Sequence, residues 1–244
     1  MKAIVLAAGY ATRMHPLTLT QPKPLLPLGG RTILDYIIEN LNTLPLDEII
    51  IVSNHKFYAH FKSWLRYAKS QIKVSILNDG SITESDRLGA IGDIDFTLRV
   101  KKIQEDIVII AGDNFITYPL IEQYEFFKQK ASDTICAHRI SDRKELTRFA
   151  VAVLDDDNKV LSLVEKPEEP PSDVAIFATY FYKKETVALF SKYLSEGNTP
   201  DAPGYFVQWL HKKKDVYAYI VNGECYDIGT IEAYEAMKAK LNKA

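Results

Sequence analysis

Ala3-Ile4-Val5-Leu6-Ala7-Ala8-Gly9-Tyr10-Ala11-Thr12-Arg13 sets a short apolar strand directly against a loop of small residues that ends in a cation. From that strand outward, β-branched runs alternate with helical patterns. Ile33, Leu34, Ile37, Ile38 and Leu41 recur at helical spacing and stop near Asn42, with Pro45 just beyond. Glu48–Ser53 predicts a second strand, Phe57–Lys69 a second helix and Lys73–Leu77 a third strand. Leu88, Ile91, Ile94 and Leu98 form a third helical stripe, and Ile107–Ala111 is apolar throughout, as a parallel strand covered on both faces should be. This alternation specifies an α/β protein: a Rossmann-like, mostly parallel sheet with helices on both faces and right-handed crossovers.

The second half changes character. Asp133–His138, Phe149–Leu154, Val160–Glu165 and Ala175–Tyr182 predict four strands with few helices between them, and Leu154 to Lys159 reads as an antiparallel hairpin turn. A polar loop at Gly197–Gly204, a short helix around Phe206–His211, a strand at Val216–Val221 and a closing helix from Ile231 complete the chain. The sheet is therefore extended by a β-rich insertion.

The 244 residues suit one large domain, and the composition, 47% hydrophobic and 25% charged, excludes disorder and coiled coil. A net charge of −2 gives no electrostatic reason to expect a nucleic-acid or membrane partner and directs attention to small molecules. Only two cysteines occur, Cys136 and Cys225, in no C-x-x-C pair, and no apolar stretch reaches the ~18–20 residues that span a bilayer. The start is too short in apolar residues for a signal peptide, so a cytoplasmic location is expected.

A small-residue loop at the carboxyl end of the first parallel strand lies where such sheets bind ligands, and its N–H groups can face an anion. Arg13 can fork onto phosphate oxygens. Lys23 stands between Pro22 and Pro24, whose fixed φ angles and steric limits predict an extended segment that aims the ammonium. Two cations and a loop of donors suit a polyphosphate. The loop is neither G-x-G-x-x-G nor G-x-x-x-x-G-K-[ST], which argues against a dehydrogenase or an ordinary P-loop ATPase. Hydrolase triads have no support either, since no serine sits in a G-x-S-x-G elbow.

The stretch Leu6–Pro27 resembles the signature of the sugar-1-phosphate nucleotidyltransferases, with the glucose-1-phosphate thymidylyltransferase branch nearest. The pattern L-A-x-G-x-G-T-R, then P-L-T, then P-K-x-L-x-P is matched with one departure, Ala11 in place of glycine. The resemblance assigns Leu6, Ala8, Gly9, Thr12, Arg13 and Lys23 to the nucleotide. It implies that Asp113 (in Gly112-Asp113-Asn114) and Asp227 (in Tyr226-Asp227-Ile228-Gly229-Thr230) hold a magnesium ion, with Asn114 beside the sugar phosphate. Magnesium takes one or two carboxylates plus phosphates and waters, which fits two aspartates.

Glu165-Lys166-Pro167 is similar to the family's sugar motif, in which the glutamate meets sugar hydroxyls and the lysine the sugar phosphate. That makes the β-rich insertion sugar-binding, and Thr179 stands where the family has a small residue near the sugar. Asn78 and Gly89 are the candidates for base recognition, although the intervening Ser81–Asp86 does not follow the family's glutamine-and-glycine pattern and an Asn-Asp-Gly turn explains the same residues.

Arg13, Lys23, Asp113 and Lys166 are thus the expected catalytic residues. The expected reaction joins a nucleoside triphosphate, most simply dTTP or UTP, to a hexose 1-phosphate with magnesium as cofactor. Two rival readings are a cytidylyltransferase acting on phosphocholine or a polyol phosphate and a catalytically quiet nucleotide-sugar-binding protein. The expected organisation is one catalytic domain over 1–244, a nucleotide-binding half (1–130) and a sugar-binding and closing half (131–244), without the C-terminal β-helix domain of some relatives. Whether the chain forms a homo-oligomer is left open.

Overall fold

The computed structural model describes residues 1–223 and 225–241, apart from the Asp227 side chain. The first half runs β1 (Lys2–Leu6), β2 (Pro27–Leu28), β3 (Arg31–Thr32), α1 (Ile33–Leu41), β4 (Glu48–Ser53), α2 (Tyr58–Leu65), β5 (Val74–Asn78), α3 (Ala90–Lys101), β6 (Ile107–Ala111), β7 (Asn114–Ile116) and α4 (Leu120–Lys130). The second half runs β8 (Asp133–Arg139), α5 (Arg143–Leu146), β9 (Ala150–Leu154), β10 (Val160–Glu165), β11 (Val174–Tyr182), α6 (Lys184–Ser195), α7 (Pro203–Leu210), β12 (Val216–Ile220), β13 (Cys225–Asp227) and α8 (Ile231–Leu241).

β6, β1, β4 and β5 lie side by side and parallel. Alternate residues point to opposite faces, so each strand feeds two cores. Ala3, Val5, Ile49, Ile51, Val108 and Ile110 pack on the face covered by α1, α2, α4 and α8. Ile4, Ile50, Val52, Ile107 and Ile109 pack on the face covered by α3, α6 and α7. Helices on both faces explain why these strands carry apolar residues at nearly every position. Among the described residues, no helix is long and apolar enough to cross a membrane.

β11 joins the two halves. One of its edges pairs with β8 along most of its length, while the other pairs first with β9 (Val174–Ile176) and then with β6 (Thr179–Tyr182). A register irregularity between Phe177 and Tyr180 marks the fork. β9 and β10 form the expected hairpin, with Asn158 at φ 62° and the Asp155 carboxylate accepting the Asp157 and Lys159 N–H groups. The fork sets the end of β10 and the end of β6 around one opening.

The helices α4 and α6, which the sequence pattern did not announce, flank the four strands of the second half, and only the short α5 falls between those strands. The inward residues of α4 are Leu120, Gln123 and Phe127, a stripe broken by a glutamine, and those of α6 include Thr186 among Val187, Phe190 and Tyr193. Buried polar residues weaken the periodic signal by which a helix is recognised. The second helix also ends at Leu65, four residues before the expected Lys69.

Candidate functional site

β1 delivers its loop to the carboxyl edge of the sheet, where three bonds fix it. Ala7 N–H donates to the Val52 carbonyl (2.9 Å), the buried Asn54 amide to the Ala8 carbonyl (2.8 Å) and the Thr18 hydroxyl to the Ala11 carbonyl (2.8 Å). Ala11 takes the left-handed conformation, φ 48° and ψ 44°, before a 3-10 turn over Thr12–Met14 anchored by the buried Met14. A glycine would adopt that conformation freely, so Ala11 keeps the turn at a cost of about 1–2 kcal/mol.

Lys23–Leu25 forms a 3-10 turn rather than the extended segment expected. Pro24 lacks an N–H but sits early in the turn, where none is needed, and Leu25 and Leu26 donate to the Pro22 and Lys23 carbonyls. The turn still aims the lysine: its side chain is 6% exposed and Nζ lies 2.7 Å from Asp113 Oδ2. Asp113 follows Gly112, whose N–H donates to the Leu6 carbonyl (2.8 Å). A Cβ on Gly112 would stand 2.8 Å from that same oxygen, so glycine is required to bring the ends of β1 and β6 together.

These elements enclose a cavity of about 120 Å³ that brings together Leu6, Gly9, Arg13 and Lys23 with Asp113 and Gly229. Its size suits phosphate groups, since sites for whole ligands run to roughly 300–1,000 Å³. Arg13 is exposed and has no ion-pair partner among the described residues. Asp113 is 37% exposed, leaving its second oxygen for another cation. Asn114 is buried in β7, and its backbone stands opposite Asp227 in β13. The expected metal role of the Asp227 side chain lies outside the described residues.

Across the fork, the Glu165 side chain is 6% exposed and lies 3.9 Å from Lys166 Nζ. Burial pushes its carboxyl up, against the pull of Lys166. The Gln208 amide oxygen accepts the Glu165 N–H (3.0 Å), and Gly204 leaves room for the carboxylate, since a Cβ there would fall 1.7 Å from Oε2. Lys166 has φ 47°, an uncommon conformation for a non-glycine residue at the mouth of a site.

Several expected residues stand elsewhere. Thr179 is fully buried in the fork of β11, with its hydroxyl unpartnered in the interior and its carbonyl accepting from Gln123, so its side chain does not reach the cleft. Ala8 is buried and serves through its carbonyl, and the Thr12 hydroxyl points to Glu84 (3.4 Å). Asn78 caps its own turn through Gly80 N–H (3.0 Å) and meets His55 Nδ1 (3.0 Å). The space beside Gly89 is filled by backbone, not open to a base: a Cβ would stand 2.5 Å from the Pro200 carbonyl oxygen.

Sequence reasoning missed a group next to the loop, formed by the buried Tyr10, Ser81 and Asp93 and the half-buried Asp79. An aspartate two residues after Ile91 and just before Ile94, inside an apolar stripe, was the available signal.

The family profile described as "Nucleotidyl transferase" matches residues 2–244. The chain is 30% identical over 247 residues to the bifunctional protein GlmU of Methanocaldococcus jannaschii, covering 99% of this chain and 55% of that one. It is 29% identical over 240 residues to a glucose-1-phosphate thymidylyltransferase of Streptomyces griseus, covering 95% and 63%. The chain thus spans between about half and two thirds of the length of these curated relatives. A crystal structure of UDP-glucose pyrophosphorylase complexed with UDP-glucose superposes with a TM-score of 0.84 at 20% identity, covering 100% of this chain and 99% of that one, a likeness of fold.

Proposed function

The chain belongs to the nucleotidyl transferase family, and from that premise we propose that it transfers a nucleotidyl group from a nucleoside triphosphate to a sugar 1-phosphate. The observation that carries this reading is the Lys23–Asp113 pair in a phosphate-sized cavity, with Arg13 and the loop after β1 at its rim. An oxygen of the sugar phosphate forms a bond to the nucleotide α-phosphorus as the bond from that phosphorus to the β-phosphate oxygen breaks, and pyrophosphate leaves with the electron pair. No general base is required, because a phosphate monoester with a second pKa near 6 is largely ionised at neutral pH.

What the residues supply is alignment and charge. Arg13 stabilises the departing pyrophosphate, Lys23 the nucleotide phosphates and Lys166 the attacking phosphate, while Glu165 accepts hydroxyls of the sugar. Among the described residues there is no cluster of three or more metal-ligating side chains. Magnesium does not need one, and Asp113, with Asp227 as the second carboxylate, fits its preference for few carboxylates plus phosphates and waters. When bound, the ion neutralises phosphate charge; Asp113 would hold it while keeping Lys23 in place.

Incubating the protein with each nucleoside triphosphate, a panel of sugar 1-phosphates, magnesium and inorganic pyrophosphatase should release phosphate with at least one pair, dTTP or UTP with a hexose 1-phosphate being the expected one. Turnover no greater than that of Asp113→Asn with every pair refutes the reading. A CTP and phosphocholine arm tests the cytidylyltransferase alternative. Ala11 takes a left-handed conformation of the kind glycine favours, which supports an intact loop, and binding by calorimetry without turnover on any pair would favour the quiet binding protein.

A further inference from the structure

We propose that Asp93 and Asp79 form a positioning pair that fastens the loop over 79–87 against the nucleotide loop through Ser81 and Tyr10. The inference rests on the nucleotide-binding reading of the loop after β1.

Three elements meet at this pair. Asp93 sits in the first turn of α3 with 6% exposure, one carboxyl oxygen buried without a partner and the other side in hydrogen-bond contact with Asp79. Two carboxyls in contact, one of them almost wholly shielded from water, cannot both ionise at low cost, so the pair keeps a proton. Asp79 begins the loop that follows β5. Its N–H donates to the Ser53 carbonyl (2.9 Å), and its carboxylate accepts the Ser81 N–H (2.7 Å) and the Ser81 hydroxyl (2.8 and 2.9 Å). Ser81 is 3% exposed and accepts the His55 N–H (2.9 Å) through its carbonyl. The buried Tyr10 phenol, which follows Gly9 in the nucleotide loop, packs beside Ser81, its hydroxyl without a hydrogen-bond partner. A proton on Asp93 therefore holds Asp79, Asp79 holds Ser81, and Ser81 backs Tyr10.

No counter-charge substitutes for the proton. Among the described residues no ion pair reaches Asp79 or Asp93. Asp86, from the same loop, adds like charge near Asp79 and Tyr10. Arg87 pairs with Glu84 and Asp201, and the His55 imidazole is spent on Asn78. Burial first, then the charge of Asp79, push the Asp93 carboxyl up to about 8. Because the folded value lies above the unfolded one, the clasp is complete in acid and is lost as pH rises through about 8.

The test compares wild type, Asp93→Asn and Asp93→Ala between pH 6.5 and 9.5, reading KM for the nucleoside triphosphate and amide hydrogen exchange of the 79–87 loop at matched pH. An asparagine amide donates as the protonated acid does, at every pH. Wild-type KM should rise about tenfold across this range with a smaller change in kcat. Asp93→Asn should stay flat, and Asp93→Ala should be raised throughout. Loop exchange in wild type should match Asp93→Asn at pH 6.5 and exceed it at pH 9.5. Wild type and Asp93→Asn superposing at every pH in both measurements would overturn the proposal. Should Asp93→Asn fail to fold, Asp79→Asn is expected to give the same flattening. Loop exchange that behaves as expected without turnover on any substrate pair would defeat the nucleotidyl-transfer reading and leave the clasp standing.

Discussion

At Ala11 the chain accepts a left-handed conformation that L-residues avoid, and the bonds around the loop hold it there. Ala11→Gly should therefore stabilise the protein by about 1 kcal/mol, with Tm higher by about 2–4 °C in a calorimetric scan. Lys23 carries the opposite kind of demand, a nearly buried ammonium paired with Asp113. Removing it with Lys23→Ala should lower kcat/KM by about 100- to 1,000-fold, as loss of one preorganised charge donor does, with little change in circular dichroism. That Arg13, Lys23 and Asp113 converge on one cavity was legible in the sequence, Arg13 from its loop after a parallel strand and Lys23 and Asp113 mainly from the family resemblance, since the prolines around Lys23 pointed to an extended segment and not to the turn it forms. Thr179, placed near the sugar by resemblance alone, lies in the interior at the fork of β11, and Asp93 escaped notice because its partner is Asp79, fourteen positions away and on another element.

Glycine settles how the elements approach one another. At Gly89 (φ 79°) the start of α3 meets the backbone of Pro200, and Ala90 and Ile91 N–H groups donate to the Asp201 and Pro200 carbonyls (3.0 and 2.8 Å). That contact ties the second half of the chain to the helix that carries Asp93. Gly89→Ala puts a methyl group into backbone that cannot turn aside, in a conformation alanine resists. It should cost more than about 2 kcal/mol, seen as a lower urea midpoint with an unchanged m-value. The parallel strands were readable because burial on both faces makes them uniformly apolar. The helices α4 and α6 were not, since Gln123 and Thr186 occupy inward positions. The small sheet of β7 and β13 was not readable either, because a three-residue strand has too short a pattern to announce its partner.

The molecule is built as two cores on opposite faces of one sheet, with the cleft at the sheet's carboxyl edge. Ligand bound there touches residues carried by both cores, so nucleotide should stabilise the whole fold and not only the loop. At a hundredfold excess over Kd the gain is about 2.7 kcal/mol, a rise in Tm of about 5–10 °C for the triphosphate that supports turnover, measurable by thermal shift and absent in Lys23→Ala.

The pairing of β7 with β13 also has a consequence during synthesis. Residues 114–116 leave the ribosome roughly 5–20 s before residues 225–227 at ordinary elongation rates. A chain stalled in that interval already holds the loop after β1, Lys23 and Asp113, yet Asn114 faces an empty strand position. Emergence of residues 225–227, rather than folding of the first half, therefore completes the side of the cleft formed by Asp113 and Gly229.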